Sequence, residues 1–338
     1  MRRSMAAALV LTVLLFGGAY LAAGKERVPE TRKDGQQEQS VQGQRDSAVL
    51  LTVQDGETVE SMALDQYLRG VMRGEMPASF ELEALKAQAA AERTYVYYQL
   101  AAERKEAHPD ADVCTDPGCC SAWLSEEAAR EKWGEDFDGW ESRIEEAVAA
   151  TDGQTALYDG QPILAVFHSS SAGKTAEAGD VWSGDVPYLR SVDSPEGEET
   201  VPNYYSAAEF TAAEAKTLLA QAHPELTFSG GPDKWFGAAE RDDSGRVSTV
   251  EVCGAPLRGV EVRRIFSLRS ACFTIDAAAE RVTFRVTGYG HGVGMSQYGA
   301  NELARQGKTW QEILMWYYAD ITVGPAPETV QTAESVVN

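Results

Sequence analysis

Basic residues are scarce in this sequence. Its 338 residues include 30 lysines and arginines against 52 aspartates and glutamates, which gives a formal net charge of −22. A protein that binds nucleic acid needs a basic surface to meet the phosphates, so this balance argues against a nucleic acid partner. It does not argue against a neutral polysaccharide.

Internal repeats and long low-complexity segments are also missing. One long apolar run occurs, an uncharged stretch at residues 5–23 that follows two arginines. Its length is near the ~20 residues that cross a bilayer, and the arginines predict that the leading end stays in the cytoplasm. We therefore predict a single-pass membrane anchor within residues 1–24, with a cleaved secretory signal as the alternative. Either way, the remaining chain lies outside the cytoplasm.

Changes in composition predict the domain boundaries. Residues 25–47 are polar and show no periodicity, which is typical of a flexible linker. Alternating residues around Asp55 and Gly56 then predict a β-hairpin, so the folded module is predicted to span 48–323. A Cys/His-rich insert occupies about 103–122 of this module, and residues 324–338 are predicted to form a loose tail.

A lone glutamate, Glu75, lies where two predicted helices meet. The first helix should end there, because Pro77 disfavours helical geometry at the residue before it. The second helix is predicted from about residue 80 to 102, where apolar residues recur at helical spacing. Lys86 and Arg93 share one flank of this helix and would point at the same neighbour. On an arbitrary helix, such residues are solvated surface charges.

A second segment combines histidine with serines. The strand-like run PILAVF, residues 162–167, is followed by His168, Ser169 and Ser171. No G-x-S-x-G elbow surrounds these serines, which argues against nucleophilic catalysis. A binding role and an ordinary turn histidine both stay open.

A third segment, GYGHGVG at 288–294, alternates glycine with other residues before a predicted helix capped by Ser296. Glycine allows unusual backbone dihedral angles and close approach to a ligand. The lysine of a phosphate-binding P-loop is missing. We therefore predict a loop that lines a binding cleft, with His291 and Gln297 as its polar side chains.

Cysteine is rare, with five in the chain, and three of them lie within seven residues shortly after His108. Disulfides are the usual state outside the cytoplasm, but adjacent Cys119 and Cys120 cannot comfortably bond to each other. Together with His108 and Cys114 they form a donor set suited to tetrahedral zinc. Four protein ligands would leave no open position, so the predicted zinc is structural. Two further cysteines could pair or stay reduced: Cys253 and Cys272.

Three segments of the chain resemble the stage II sporulation protein D family of membrane-anchored lytic transglycosylases. They are the two segments PILAVFHSSSAGKT and GYGHGVGMSQYGANELARQGKTWQEIL, and the earlier YLRGVMRGEMPASFELEALKAQAAAERTY. The resemblance implies that Glu75 is the catalytic acid, with Lys86 and Arg93 as substrate-binding or supporting residues. It also implies a glycan-binding or supporting role for His168, Ser169 and Ser171. The cleft lined by His291 and Gln297 would then be a sugar cleft.

The family resemblance bears on the predicted zinc as well. Some members bind zinc in this insert with a histidine, a cysteine and then a His-Cys pair. This chain has Cys119 at the position of the second histidine. The resulting Cys₃His set remains an acceptable structural zinc site.

The resemblance further implies a reaction and a setting. A lytic transglycosylase cleaves the bond between N-acetylmuramic acid and N-acetylglucosamine, and the muramic acid 6-hydroxyl attacks to leave a 1,6-anhydro end. One carboxyl group can then act as acid and afterwards as base, whereas an ordinary glycosidase needs two. Peptide-stripped peptidoglycan strands would be the substrate in sporulation engulfment, and no organic cofactor is expected. The implied partners are stage II sporulation proteins P and M at the mother-cell membrane.

We expect an α+β fold in which helices surround Glu75 and pack against a strand-rich part. A second functional hypothesis remains, a non-catalytic module that binds cell wall and enhances an amidase, because related modules have that role. The acid chemistry requires Glu75 to be partly desolvated against apolar neighbours. It also requires Lys86 and Arg93 to lie too far away to hold that carboxyl ionised.

Overall fold

The structure is a computed structural model that describes residues 45–182 and 184–328. Within these ranges it combines helices with several small sheets, which confirms the α+β prediction. None of the helices in these ranges is long and apolar enough to span a membrane. The predicted anchor, most of the predicted linker and most of the predicted tail lie outside the described residues.

Helices and strands alternate irregularly along the chain. The helices are α1 (Leu64–Glu75), α2 (Leu82–Ala101), α3 (Glu126–Trp133), α4 (Phe137–Ala150), α5 (Ala178–Val181), α6 (Ala212–Ala222), α7 (Gly259–Ile265), α8 (Gln297–Arg305) and α9 (Trp310–Tyr317). The first strands are β1 (Leu50–Asp55), β2 (Thr58–Ala63), β3 (Val113–Cys114), β4 (Gln154–Tyr158), β5 (Gln161–Pro162), β6 (Phe167–His168) and β7 (Tyr205–Thr211). The remaining strands are β8 (Phe236–Arg241), β9 (Val247–Val252), β10 (Ala255–Arg258), β11 (Phe273–Ala278), β12 (Arg281–Thr287), β13 (Met295–Ser296) and β14 (Thr322–Pro325).

Helix α2 is the centre of the first hydrophobic core. Its alanine-rich sequence is buried on nearly every face, as expected for a helix that is covered on all sides. Helices α1, α4, α8 and α9 and strand β4 surround it. The helix starts two residues later than predicted, and the side chain of Asn301 in α8 accepts a hydrogen bond from the Glu81 backbone N–H at 2.7 Å. A distant residue therefore satisfies the N-terminus of this helix.

The predicted hairpin around Gly56 is confirmed. Strands β1 and β2 pair antiparallel, and Gly56 takes the positive φ of 58° that the turn requires. Strand β3 adds to β1 in parallel register and carries Cys114. This pairing holds the Cys/His-rich insert against α1.

The strand-rich part of the chain forms a second hydrophobic core. It contains the sheet β11-β12-β7, the sheet β10-β9-β8, and helices α6 and α7. Phe284 lies at its centre and makes edge or tilted ring contacts with four other phenylalanines. Val282, Phe284 and Val286 of β12 point into this core, whereas Arg281 and Arg285 on the opposite face are exposed.

The second and third sequence segments meet at a short parallel pair. Met295 and Ser296 of β13 pair with Phe167 and His168 of β6. The prediction of a continuous strand over 162–167 is wrong, because β5 pairs with β4 whereas β6 pairs with β13. The run connects two different sheets, so its middle cannot join either ladder.

Candidate functional site

Glu75 is the last residue of α1. Met76 after it has extended dihedral angles, φ −125° and ψ 136°, as expected for the residue before Pro77. The side chain of Gln297 reaches across from α8 and donates a hydrogen bond to the Glu75 backbone carbonyl at 3.0 Å. The first and third sequence segments therefore meet at the candidate acid.

The Glu75 carboxyl lies in a partly desolvated environment. Burial raises the pKa of this carboxyl above its ordinary value, and a hydrogen bond from the Ala122 backbone N–H to Oε1, at 2.6 Å, opposes the increase. Glu75 forms no ion pair with any residue in the described ranges. Such a carboxyl retains its proton to a higher pH than an exposed glutamate, which is what a general acid requires.

Two glycines of α1 allow the segment after Cys120 to lie against Glu75. A Cβ on Gly74 would lie 2.6 Å from the Ala122 carbonyl oxygen, and one on Gly70 would lie 1.9 Å from Nε1 of Trp123. Any larger residue would push this segment away from the helix. The close packing places the Ala122 N–H within hydrogen-bonding distance of the Glu75 carboxylate.

Glu75 lines two cavities. One has a volume of about 180 Å³ and is also lined by Tyr95, Ser121 and His291. The other, of about 400 Å³, is lined by Lys132 and by two tryptophans, Trp133 and Trp140, whose rings meet edge-to-face. No other carboxyl residue lines either cavity in the part of the chain that the structure describes. No sequence pattern points to these tryptophans, because α3 and α4 lie outside the three segments that carry the family resemblance.

A second glutamate, Glu92, is completely buried behind Glu75. Its carboxyl receives hydrogen bonds from the Gln88 amide and the Ser121 hydroxyl, both at 3.1 Å. Burial raises its pKa well above the ordinary value, and the nearby Glu75 charge raises it further. Burial therefore favours the protonated, uncharged form of Glu92. Because Ser121 adjoins Ala122, the two glutamates bind consecutive residues of one loop.

His291 lines the smaller cavity together with Glu75. Its ring is 5.7 Å from the His168 ring and 5.3 Å from that of Trp182. Burial lowers the pKa of His291 to about 4 and that of His168 well below its ordinary value, so both rings are neutral at physiological pH. The loop that carries His291 has the positive φ angles predicted from its alternating glycines.

The expected glycan-binding rim at 168–171 does not fit the burial of its residues. His168 and Ser171 are buried, and Ser169 is only partly exposed. The Ser171 hydroxyl and backbone N–H both donate to the buried carboxylate of Glu196, which also accepts from Ser296. The Glu196 carboxylate thus joins the second sequence segment to the third. Ser171 is buried in this contact, so it has a supporting role and cannot contact a sugar.

Arg93 and Lys86 also lie away from the cavities. Arg93 is fully buried and binds the Asp46 carboxylate at 2.6 Å, with further bonds to Thr151 and nearby carbonyls. This position rules out direct substrate contact and leaves Arg93 a supporting role. Lys86 pairs with Glu83 at 2.7 Å. Asp46 therefore belongs to the folded module, although it lies within the stretch predicted as linker.

Comparison with known proteins identifies the family. A family model described as "Stage II sporulation protein" matches residues 53–158. The chain is 35% identical over 270 residues to stage II sporulation protein D of Bacillus subtilis, which covers 80% of this chain and 77% of that protein. The chain belongs to the stage II sporulation protein D family. It is also 34% identical to the Bacillus amyloliquefaciens protein of the same name, over 80% of this chain and 76% of that protein.

Another relative carries a different description. The amidase enhancer of Bacillus subtilis is 28% identical over 305 residues, which covers 76% of this chain and 40% of the relative. Membership in the stage II sporulation protein D family therefore does not by itself separate the two hypotheses made from the sequence.

This member of the stage II sporulation protein D family brings together the four residues predicted to bind metal. One donor atom from each of His108, Cys114, Cys119 and Cys120 lies within 4.8 Å of all the others. Nε2 of His108 is 3.4 Å from Sγ of Cys120, close to the roughly 3.5 Å between nitrogen and sulfur on a tetrahedral zinc. Nδ1 of the same ring is 2.9 Å from the Ala111 carbonyl oxygen, which would hold the ring with Nε2 free to bind. The donor set therefore fits a structural zinc.

Cys253 and Cys272 are unpaired thiols in the structure. Burial raises the pKa of both, so they are protonated at neutral pH. A disulfide between them, which the sequence left open, is not formed.

Proposed function

We propose that the chain is a peptidoglycan lytic transglycosylase with Glu75 as its acid and base. The observation that supports this most directly is that Glu75 is the one carboxyl lining both neighbouring cavities among the described residues. Burial favours its protonated form, and no cation holds it ionised. A reaction in which the substrate supplies the attacking hydroxyl needs one such carboxyl group, whereas a hydrolytic glycosidase needs two.

The proposed reaction uses the residues around the cleft in distinct ways. Protonated Glu75 gives its proton to the oxygen of the bond between N-acetylmuramic acid and N-acetylglucosamine as that bond breaks. The resulting carboxylate then takes the proton of the muramic acid 6-hydroxyl, whose oxygen attacks C1 and closes the 1,6-anhydro ring. The Ala122 N–H stabilises the carboxylate between these two steps. Neutral His291 would bind a sugar polar group, and Trp133 and Trp140 would offer apolar surface to sugar rings.

Structural zinc on the Cys₃His cluster is part of this proposal. When bound, the metal would cross-link the insert and rigidify the loop that continues to Ser121 and Ala122. The chain's own residues do the chemistry. We further propose the setting implied by the resemblance, a single-pass membrane protein in sporulation engulfment that works with stage II sporulation proteins P and M. It would act on peptide-stripped peptidoglycan strands outside the cytoplasm.

A non-catalytic cell-wall-binding amidase enhancer is the second candidate. It is supported by the 28% identity to the amidase enhancer of Bacillus subtilis. In such a protein Glu75 would only bind glycan, so its carboxyl would contribute affinity without any cleavage.

Digestion of sacculi separates these candidates. The full chain is incubated with intact and peptide-stripped sacculi, and released sugars are analysed by mass spectrometry. A transglycosylase produces 1,6-anhydro ends, and Glu75→Gln reduces their release by about 10²–10⁴-fold, the usual contribution of a general acid or base. The absence of sugar release, or equal release by the Glu75→Gln variant, would reject catalysis by Glu75.

A further inference from the structure

One cavity of the strand-rich part lies on the solvent face of the sheet β11-β12-β7. Its volume is about 740 Å³. The residues that line it include Tyr205, Arg241, Thr274, Arg285 and Thr287. None of the proposed catalytic residues is among them, so the cavity is separate from the Glu75 site.

The charge of this cavity is unusual for the molecule. The chain has a net charge of −22, yet the lining contains two arginines and, within the described residues, no aspartate or glutamate. Arg241 uses two guanidinium nitrogens to donate to the carbonyls of Gly245 and Phe273, which fixes its position. Arg285 is 67% exposed, and its nearest acid, Asp276, is 3.9 Å away and 71% exposed. Because both side chains are exposed and 3.9 Å separates their charged atoms, this ion pair is weak. Arg285 is therefore available for another anion.

The floor beside Arg285 is open because its cross-strand neighbours are small. Arg285 pairs with Ala207 on β7 and with Thr274 on β11. Tyr205 lies at one end of the same face, with 58% of its surface exposed. An exposed tyrosine ring and a weakly paired guanidinium in one cavity offer a stacking surface and a planar donor that matches a carboxylate.

The cavity is also close to the Glu75 cleft. Thr287 lines the cavity and His291 lines the cleft, and four residues of chain span at most about 14 Å. Between them lies Tyr289, which is 48% exposed and has the Arg269 guanidinium 4.5 Å from its ring centre. Nε of Arg269 is buried and has no hydrogen-bond partner in the described part of the chain. Aromatic and guanidinium groups thus lead from one cavity to the other.

We propose that this cavity is a second binding site for glycan, and that Arg285 binds a carboxylate carried by the sugar chain while Tyr205 stacks on a sugar ring. The carboxylate would be the lactyl group of muramic acid, which is free once the stem peptide is removed. The site extends the proposed function, because a strand held at Arg285 would continue past Tyr289 to the Glu75 cleft.

Arg285→Gln is the variant that tests the site, and Arg281→Gln is its matched control. Arg281 is on the same strand and is similarly exposed, at 62%, but it pairs with Glu209 at 2.7 Å and does not line the cavity. Both variants are made in the full chain carrying Glu75→Gln, so that cleavage cannot alter the binding measurement. Binding is measured by co-sedimentation with peptide-stripped sacculi freed of phosphate-bearing polymers.

We expect Arg285→Gln and Tyr205→Ala each to weaken binding by at least about fivefold, as for the loss of one charge-assisted bond or one aromatic contact. Arg281→Gln should bind like its parent. Conversion of the sacculus carboxylates to amides should weaken the parent to the level of Arg285→Gln. Equal binding by the Arg285 and Arg281 variants would overturn the proposal, as would full binding of the parent to amidated sacculi. A loss seen only with intact sacculi would assign the anion to stem peptides and also overturn it.

Failure of the proposed function gives a different result. Sugar release by the chain with intact Glu75 tests catalysis, and co-sedimentation tests the second site. Binding that depends on Arg285 without any sugar release would retain the site in a non-catalytic wall-binding protein. Sugar release together with Arg285-independent binding would retain the enzyme and reject the site.

Discussion

The Glu75 carboxylate accepts its hydrogen bond from Ala122, which follows Cys120 by only two residues. The Cys/His cluster and the candidate acid are therefore connected through one short stretch of backbone. Glu92 reinforces the connection, because its buried carboxyl accepts a hydrogen bond from Ser121 in the same stretch. Any change that loosens the cluster is expected to reach Glu75 through these two bonds.

Metal content is the first prediction. The purified full chain should contain about one zinc per molecule, because four ligands in a closed set bind structural zinc tightly. Removal of the metal by a chelator should lower the unfolding temperature and slow sugar release, since the Ala122 donor is then less well held. Metal analysis, thermal unfolding and sacculus digestion measure the three effects.

Cys120→Ser and Cys253→Ser form the matched pair for this prediction. Cys120 belongs to the cluster, whereas Cys253 is an unpaired thiol in the strand-rich part. Only the first substitution should reduce zinc content. Less than about a tenth of an equivalent in the unaltered chain, or equal loss from both variants, would reject the metal site.

Glu92 leads to a prediction about stability and pH. Its pKa in the folded chain is raised well above the ordinary 4.5, so the folded state keeps a proton that the unfolded state releases. The stability from this group is complete below about pH 4.5 and is lost as the pH rises toward the folded pKa. In that window the free energy of unfolding should fall by about 1.4 kcal/mol per pH unit from this group.

Glu92→Gln should remove this slope, because an amide does not titrate and can still bond to Gln88 and Ser121. Denaturant unfolding of both proteins at several pH values between about 5 and 8 checks this. Glu83→Gln is the control, since Glu83 lies on the same helix but is partly exposed and paired with Lys86. Parallel stability curves for the parent and Glu92→Gln would show that Glu92 is ionised in the folded chain.

The features of the candidate site that could be predicted from the sequence are those that follow from local rules. Pro77 ends α1 at Glu75 through steric hindrance between neighbours, and Ser296 caps α8 through a bond to the Gly299 N–H three residues later. The Cys/His cluster was predictable because its members are close in the chain. Such features depend on a few consecutive residues, so the sequence contains the whole cause.

The other features of the site depend on contacts between residues that are distant in the chain. Arg93 shares a helix flank with Lys86. However, its buried charge is paired with Asp46, which precedes it by 47 residues. Ser171 lies shortly after β6 in the chain, but its role is determined by its hydrogen bond to the distant Glu196 carboxylate. In the sequence, Glu92 is one of several polar residues on a predicted helix. Only the packing of other elements around α2 makes it a buried neighbour of Glu75. No spacing rule connects such partners.

Arg93 and Lys86 are expected to differ sharply when replaced. Arg93→Met leaves the Asp46 carboxylate buried without its partner, which should cost about 3–5 kcal/mol of unfolding free energy. Lys86→Met removes a pair three residues apart near the surface and should cost about 0.2–0.5 kcal/mol. Chemical denaturation of both variants measures the difference.

The double variant Asp46→Leu with Arg93→Met tests the cause of the Arg93 effect. It removes both charges and should recover part of the loss, because no unpaired charge stays buried. Similar small losses for the two single variants would contradict the buried ion pair. A loss of glycan binding by a stably folded Arg93→Met chain would restore the substrate-binding role that its burial argues against.

The pH dependence of sugar release follows from the environment of Glu75. The acid step needs the protonated carboxyl, and burial raises its pKa above the ordinary 4.5. Cleavage should therefore persist to a higher pH than an exposed glutamate would allow. It should then fall about tenfold per pH unit once the pH exceeds the raised pKa.

The measurement is kcat/KM on peptide-stripped glycan from roughly pH 5 to 9, with sacculus binding by Glu75→Gln as the control. Binding by that variant should not follow the same curve, because its amide has no proton to lose. If kcat/KM instead stayed level or rose across this range, Glu75 could not be the proton donor, and the cleft would have to obtain its proton from another group.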